Sequence, residues 1–155
     1  MITQVLCKIY HALENLPKAK TSLTAARSCA NTIFVSTSLQ AEIDMMSGVL
    51  QAEDKDFKTA YWFNRRYSYF YEAFEAFDSQ NEKELALRAF KLLVVCKIMM
   101  DQLEDVNSLL NGKHSVKYAG PGLEAMREIA KAHGQKKLQD FSQVLRKYDQ
   151  GSVLI

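Results

Sequence analysis

Residues that break regular secondary structure are scarce in this sequence, and this scarcity constrains the fold more than any other feature. The 155-residue chain has two prolines and six glycines, and between Met1 and Asn111 the only ones are Pro17 and Gly48. A β-rich domain needs turn residues about every 8 to 12 positions. The first two thirds of the chain therefore cannot consist of β-hairpins, and the sequence predicts an all-α fold of long helices joined by short loops.

Apolar residues recur three and four positions apart in segment after segment, which places them on one face of a helix. The spacing predicts about seven or eight helices that pack as antiparallel pairs into a right-handed, tetratricopeptide-like solenoid. Their approximate ranges are 2–13, 17–33, 37–54, 56–77, 82–103, 104–110, 123–133 and 138–148. We expect residues 1–149 to form this solenoid and residues 150–155 to form a frayed tail.

The ends and faces of several predicted helices can be read from single residues. Pro17 suits the first turn of the second helix, where its missing N–H costs nothing. Thr37 with Gln40 has the spacing of a capping box, and so does either Ser79 with Glu82 or Asn81 with Glu84. The apolar stripe of the first predicted helix consists of Ile2, Leu6, Ile9 and Leu13.

One pair of predicted helices follows the offsets of a tetratricopeptide repeat. Gly48, Phe57 and Ala60 supply the small, aromatic and alanine positions of that pattern. The next two positions fall on Phe70 and Ala73 if six intervening residues are counted as an insertion. The first hairpin follows the same offsets without adjustment, through Leu16, Ala19, Leu23 and Ala26. We predict that all nine residues pack the repeats together, with Gly48 and Ala73 at close helix contacts.

The six inserted residues, 62–67, leave two alternatives. They bulge or loop out of the repeat, or the helix runs on through them and uses a new apolar stripe. We favour the continuous helix because no breaker lies within the segment. The new stripe would consist of Ala60, Phe63, Tyr67, Phe70, Phe74 and Phe77.

Ten of the sixteen aromatic residues lie between Phe57 and Phe77, and Arg65 and Arg66 sit among them. Aromatic rings interleaved with arginine can stack on the bases of single-stranded nucleic acid. Core aromatics at helical spacing, together with a solvated arginine pair, explain the same residues. We favour this second interpretation.

Charge and cysteine content argue against several classes of partner. Twenty Lys and Arg against eighteen Asp and Glu give a net charge of +2, too small to indicate a nucleic-acid or membrane partner. The longest uncharged stretch, 28–41, is too short and too polar to span a bilayer. Cys7, Cys29 and Cys96 are odd in number and widely spaced, as expected for reduced thiols of the cytoplasm or nucleus.

Residues that could carry chemistry do not form a convincing site in the sequence. Common phosphate-binding, hydrolase and metalloprotease motifs are absent. Cys7 and His11 could supply half of a metal site, but no second pair of ligands is evident. His114, in a loop-like stretch, and His133, at a helix end, have no obvious catalytic partner. We therefore expect no enzyme, metal, cofactor or small-molecule substrate.

Seven short motifs keep their order and spacing from about Leu6 to Tyr148. They are Tyr-His-Ala-Leu-x-Asn-Leu-Pro-Lys-Ala (10–19), Leu-Gln-Ala-x-x-Asp-Met-x-Ser-Gly (39–48), Lys-Asp-Phe-Lys-Thr-Ala-Tyr (55–61), Tyr-Phe-Tyr-Glu-Ala-Phe-Glu (69–75), Cys-Lys-Ile-Met (96–99), Glu-Asp-Val (104–106) and Tyr-Ala-Gly (118–120). In these motifs the chain resembles the PCI family of subunits in the lid of the proteasome regulatory particle, over the central helical-repeat region of that family.

The resemblance implies a non-catalytic scaffold subunit that acts in ubiquitin-dependent protein degradation. Its implied partners are other lid subunits, together with the ATPase ring and the core particle. The family's further repeats before Met1 and its winged-helix half after Tyr148 are expected to be absent. The alternative that the repeat geometry leaves open is a free-standing, tetratricopeptide-like adaptor that binds peptides.

Overall fold

The described part of the chain is built from helices alone. The computed structural model describes residues 2–53 and 60–136, with side chains from residue 64 in the second range, and residues 139, 142–144 and 146. Within these ranges no strand occurs, which confirms the all-α prediction. The helices are α1 (Ile2–Ala12), α2 (Leu16–Thr32), α3 (Thr37–Glu53), α4 (Ala60–Ser79), α5 (Lys83–Met99), α6 (Leu103–Asn111), α7 (Lys113–Lys117) and α8 (Pro121–Gly134).

Four of the described helices are followed by a non-glycine residue in the left-handed conformation, the last of them at Lys136 after α8. Glu14, Asn81 and Asp101 have φ angles of 56°, 59° and 57°. After each of them, the next residue's N–H donates to a carbonyl five positions back, as in Asn15 to Tyr10 at 2.9 Å. This is the Schellman arrangement, which usually places glycine at the left-handed position. Short loops can therefore follow these helices although the sequence has almost no glycine there.

The helix starts agree only in part with the sequence-based expectations. Asn15 caps α2 by accepting from the Lys18 N–H at 3.3 Å, and Pro17 lies in the first turn as predicted. At α3 the cap is Ser36, whose Oγ accepts from the backbone N–H of Leu39 at 3.4 Å. The capping box predicted at Thr37 is wrong by one residue, because Thr37 is already helical.

The second predicted capping box is also wrong, both at Ser79 and at Asn81. Ser79 belongs to α4 and its hydroxyl donates back to the Ala76 carbonyl at 2.7 Å. The N-cap of α5 is Glu82, which makes no side-chain capping bond. The left-handed turn at Asn81 separates the two helices and leaves Ser79 on the wrong side of it.

Two further helix boundaries differ from the prediction. The fifth helix ends at Met99 rather than near residue 103, because Asp101 turns left-handed and Leu103 starts α6. Residues 113–117, expected as a loop, form the short helix α7, which contains His114. At the first of these boundaries the apolar spacing continues to Leu103 across a turn that the spacing does not reveal.

The helix across residues 62–67 is continuous, as the absence of breakers predicted. α4 runs unbroken from Ala60 to Ser79. Phe70, Phe74 and Phe77 of its predicted stripe are buried, and Tyr67 is half-buried. The side chains of Ala60 and Phe63 lie outside the described ones.

The helices pack chiefly on their neighbours along the chain, in consecutive pairs. This arrangement is the one predicted for a helical-repeat solenoid. The larger buried cluster extends from α3 to α8 and contains Phe70, Phe77 and Phe90, each at most 1% exposed. A second, much smaller cluster joins α1, α2 and α3 through Cys7, Ala19 and Leu50.

Candidate protein-binding surfaces

Most of the predicted repeat-packing residues lie inside the molecule. Ala19 and Ala26 of α2 are buried, and Leu16 and Leu23 are half-buried beside the smaller cluster. Further along the chain, Gly48, Phe70 and Ala73 are also buried. Phe57 and the side chain of Ala60 lie outside the described residues. Their common role in packing the repeats stays a prediction.

Gly48 of α3 lies at a close contact with α4. A Cβ placed on Gly48 would lie 2.4 Å from Cε1 and 2.6 Å from Cζ of Phe70. Real Cβ contacts are not this short, so the Phe70 ring occupies the space that any larger residue would need. Phe70 itself is 1% exposed. The two residues form one tight contact between successive helices.

The apolar stripe of α1 faces outward. Ile2 is 77% exposed, Leu13 is 68% exposed, and Ile9 and Leu6 are 46% and 38% exposed. At about 100° per residue, Ile2, Ile9 and Leu13 lie within roughly 40° of one another and opposite the buried residues of the helix. The regular apolar stripe of this helix therefore does not face the interior of the molecule.

The inward side of α1 carries polar residues instead. Its buried residues are Gln4 and Cys7. Gln4 Nε2 donates to Glu42 Oε2 at 2.7 Å, and the Lys8 ammonium pairs with the same carboxylate. Near the other end of the helix, His11 Nε2 lies 2.7 Å from Glu53 Oε1. The contact of α1 with α3 is therefore largely one of hydrogen bonds and ion pairs.

A groove of about 370 Å³ opens between α1, α3 and α5, with the end of α4 behind it. Apolar residues of α3 and α5 form its floor, including Met45, Met46, Val49 and Leu85. Charged residues stand around it: Lys8 and His11 on α1, Glu42 on α3 and Arg88 on α5. Its volume is within the range of small ligand pockets and its lining is mainly apolar.

An arginine on α2 ties three helices together. Arg27 donates to Asp44 Oδ1 at 2.8 Å and Ser47 Oγ at 2.9 Å on α3, and to the Tyr69 hydroxyl at 3.0 Å on α4. Its guanidinium also lies over the Tyr69 ring, 4.6 Å from the centroid. Burial acts to raise the pKa of Tyr69, but hydrogen bonds and charge from Arg65 and Arg27 outweigh it and lower the pKa.

The interpretation of Arg65 and Arg66 as a solvated pair is wrong for one of them. Arg65 is exposed and bonds to Tyr69, whereas Arg66 is 3% exposed. The charge of Arg66 acts on Cys96, although burial dominates there and raises the pKa of that thiol to about 12. Arg66 is thus part of the interior rather than of a surface that could stack bases.

A polar cluster connects α4 to the end of α7. The carboxylate of Asp78 accepts from both Lys117 Nζ and the Tyr118 hydroxyl. These two hydrogen bonds lower the pKa of Asp78. Burial, followed by the bond to Asp78 and its charge, raises the pKa of Tyr118 to about 12. His114 stacks edge-on against Phe74 with ring centroids 5.0 Å apart, which makes it a packing residue.

Sequence reasoning did not find these polar contacts. Arg27 and Asp44 are 17 residues apart, and Asp78 and Tyr118 are 40 apart. No local motif marks either pair, since such contacts depend on how helices pack rather than on spacing within one helix. The helical spacing of apolar residues carries no information about polar contacts between different helices.

The residues considered for metal binding do not assemble into a site. Cys7 is buried, and burial raises its pKa, which disfavours the thiolate that binds metals. His11 contacts Glu53 instead of Cys7. Among the residues that the structure describes, no group of three or more His, Cys, Asp and Glu side chains could hold a metal ion. Nor does any described helix have the length and apolar content to cross a bilayer.

The fold and these surfaces define an α-helical repeat protein with an exposed apolar end and a groove. Its sequence is homologous to the 26S proteasome regulatory subunits called rpn6 or non-ATPase regulatory subunit 11, which confirms the resemblance read from the motifs. No protein-family profile matches the chain.

The relatives are similar along almost all of this chain. The chain is 47% identical over 141 residues to the probable 26S proteasome regulatory subunit rpn6 of Schizosaccharomyces pombe, covering 91% of this chain and 32% of that protein. It is 45% identical over 148 residues to the 26S proteasome non-ATPase regulatory subunit 11 of Dictyostelium discoideum, covering 95% and 34%. To the 26S proteasome regulatory subunit RPN6 of Saccharomyces cerevisiae it is 42% identical over 146 residues, covering 92% and 32%. The chain thus spans about a third of the length of these relatives.

Proposed function

We propose that the chain is a non-catalytic scaffold segment of the proteasome regulatory particle lid and serves ubiquitin-dependent protein degradation through protein–protein contacts. Its partners would be other lid subunits, with the ATPase ring and the core particle as further neighbours. The proposal treats residues 1–149 as one helical-repeat unit, and it places the chain in the cytoplasm and nucleus. Homology to proteasome regulatory subunits supports the assignment to this assembly.

The outward apolar face of α1 is the observation that carries the scaffold role. A helical repeat buries its apolar face against its neighbours, and an end left uncovered tends to associate. Ile2, Ile9 and Leu13 are 77%, 46% and 68% exposed on one side of an 11-residue helix. Large apolar side chains grouped in this way mark an interaction surface, whereas single exposed ones are ordinary.

The polar inner side of α1 supports the same conclusion. A surface helix of a monomer normally turns its apolar stripe to the core and its polar side to water. In α1 the order is reversed, since Gln4 and Lys8 contact Glu42 while the apolar side chains point out. Without a neighbour, this orientation leaves the apolar stripe in water, which is unfavourable. Contact with a helix of another protein would bury the stripe.

Affinity purification of the tagged chain from cells tests the proposal. We expect lid subunits to be recovered, and we expect Ile9→Asp and Leu13→Asp to reduce that recovery, because an aspartate in a buried apolar contact loses its hydration. Val116→Asp is the matched control, since Val116 is a 78% exposed apolar residue on α7, away from α1. Failure of the folded chain to recover any lid subunit would contradict the proposal.

A further inference from the structure

The groove between α1, α3 and α5 combines an apolar floor with a charged rim that contains Glu42 as well as Lys8, His11 and Arg88. Met45 is 8% exposed, Phe77 behind it is fully buried, and Met46, Val49 and Leu85 are half-buried. Unbranched methionine side chains rearrange easily and suit contact surfaces that must adapt to a ligand. A volume of about 370 Å³ accommodates a few apolar side chains rather than a folded domain.

The two sides of the groove differ in whether their basic residues are paired with carboxylates of the chain. On the α1 side, Lys8 pairs with Glu42, and His11 contacts Glu53. On the α5 side, Arg88 is exposed, and none of the ion pairs formed between described residues includes it. Arg88 therefore gives the α5 rim a positive charge that a ligand carboxylate could neutralise.

We propose that this groove binds an acidic amphipathic segment of a partner protein. Apolar side chains of the segment lie on the methionine floor, and a carboxylate next to them pairs with Arg88. Docking of a short amphipathic helix into an apolar groove is a recurrent mode of recognition in which apolar anchors supply affinity. Charge complementarity at the rim then selects acidic over basic segments. The inference does not depend on the proposed place in the proteasome.

Fluorescence anisotropy with the full chain tests the inference. The probe is a fluorescein-labelled peptide of about 12 residues with leucine at helical spacing and glutamate elsewhere, compared with the same peptide carrying lysine for glutamate. We expect the acidic peptide to bind with a Kd of roughly 10–100 μM, and the basic peptide at least tenfold more weakly. Binding of the acidic peptide should weaken as salt is raised.

Charge reversal locates the site. Arg88→Glu should weaken the acidic peptide about tenfold and strengthen the basic one, because it inverts the charge of the α5 rim. Lys83→Glu is the matched control, since Lys83 is exposed on the same helix and does not line the groove. We expect it to change either Kd by less than about twofold. Equal melting temperatures, measured by circular dichroism, would show that both variants fold.

Several outcomes would overturn the inference. Among them are no binding of the acidic peptide up to about 1 mM, equal binding of both peptides, and equal effects of the two charge reversals. Sedimentation of the chain alone addresses one further occupant of the groove. If the chain self-associates and Arg88→Glu abolishes that association, the groove holds a second copy and the proposal of a partner segment is wrong.

Discussion

The hairpin α1–α2 and the centre of the molecule, α3–α5, have the same secondary structure but are held together differently. In the centre, Phe70, Phe74 and Phe90 pack into one continuous buried cluster. The hairpin instead buries the small residues Cys7 and Ala19 against Leu50 of α3, and side-chain hydrogen bonds and ion pairs also join α1 to α3. Helix periodicity alone therefore does not show where the stability of a repeat resides.

The difference follows from which side chains are removed from water. Burying an aromatic or large aliphatic side chain contributes about 1.5–3 kcal/mol, whereas exposed ion pairs contribute about 0–1 kcal/mol. The hairpin keeps several large apolar side chains, among them Ile2 and Leu13, in solvent. We infer that the centre supplies most of the folding free energy and that the hairpin opens more easily, which suits an end that contacts other proteins.

The largest expected effect is the loss of an aromatic ring from the centre. Phe70→Ala should lower the free energy of unfolding by about 3–5 kcal/mol, because it removes a fully buried ring and leaves a cavity. Leu23→Ala is the comparison in the hairpin, and it should cost less than about 2 kcal/mol, since Leu23 is only half-buried. Urea unfolding followed by circular dichroism measures both. Similar losses for the two variants would contradict the contrast between the regions.

The sequence predicts the centre of this fold better than its ends. The helices, and the continuity of α4 across residues 62–67, follow from apolar spacing without glycine or proline. Gly48 and Ala73, two of the residues that the repeat offsets selected, are buried, and their role in packing the repeats stays a prediction. These features are local, since they depend on residues within one helix or in two successive helices.

The orientation of α1 and the helix ends could not be predicted in the same way. The apolar stripe of α1 has the spacing expected of a helix that faces the core. The polar side of α1 faces inward instead, because it bonds to Glu42, which lies far along the chain. Asn81 and Asp101 end their helices in a conformation that sequence rules assign mainly to glycine. The arginine that the sequence suggested was solvated, Arg66, is buried by neighbouring helices.

An intermediate effect is expected from filling the tight contact between α3 and α4. Gly48→Ala should cost about 1–3 kcal/mol, because its Cβ would overlap the Phe70 ring. The gain in helix propensity of alanine over glycine, about 1 kcal/mol, offsets part of this cost. In a Phe70→Ala background the overlap is gone, so the same substitution should become neutral or stabilising. A double-mutant cycle from urea unfolding measures the coupling, and additive effects would show that the two residues do not compete for space.

The smallest effect is expected at the polar contact of the hairpin. Glu42→Gln should cost less than about 1 kcal/mol, because it removes an ion pair whose Lys8 side chain is 54% exposed and leaves an amide that can still bond to Gln4. The loss should shrink further in high salt, which screens exposed charges.

Asp78→Asn is the comparison in the centre, where the carboxylate holds both Lys117 and the buried Tyr118 hydroxyl. We expect that substitution to cost more and to depend less on salt. A loss at Glu42 as large as that at Asp78 would mean that the ion pairs of α1, and not the aromatic centre alone, hold the repeat together.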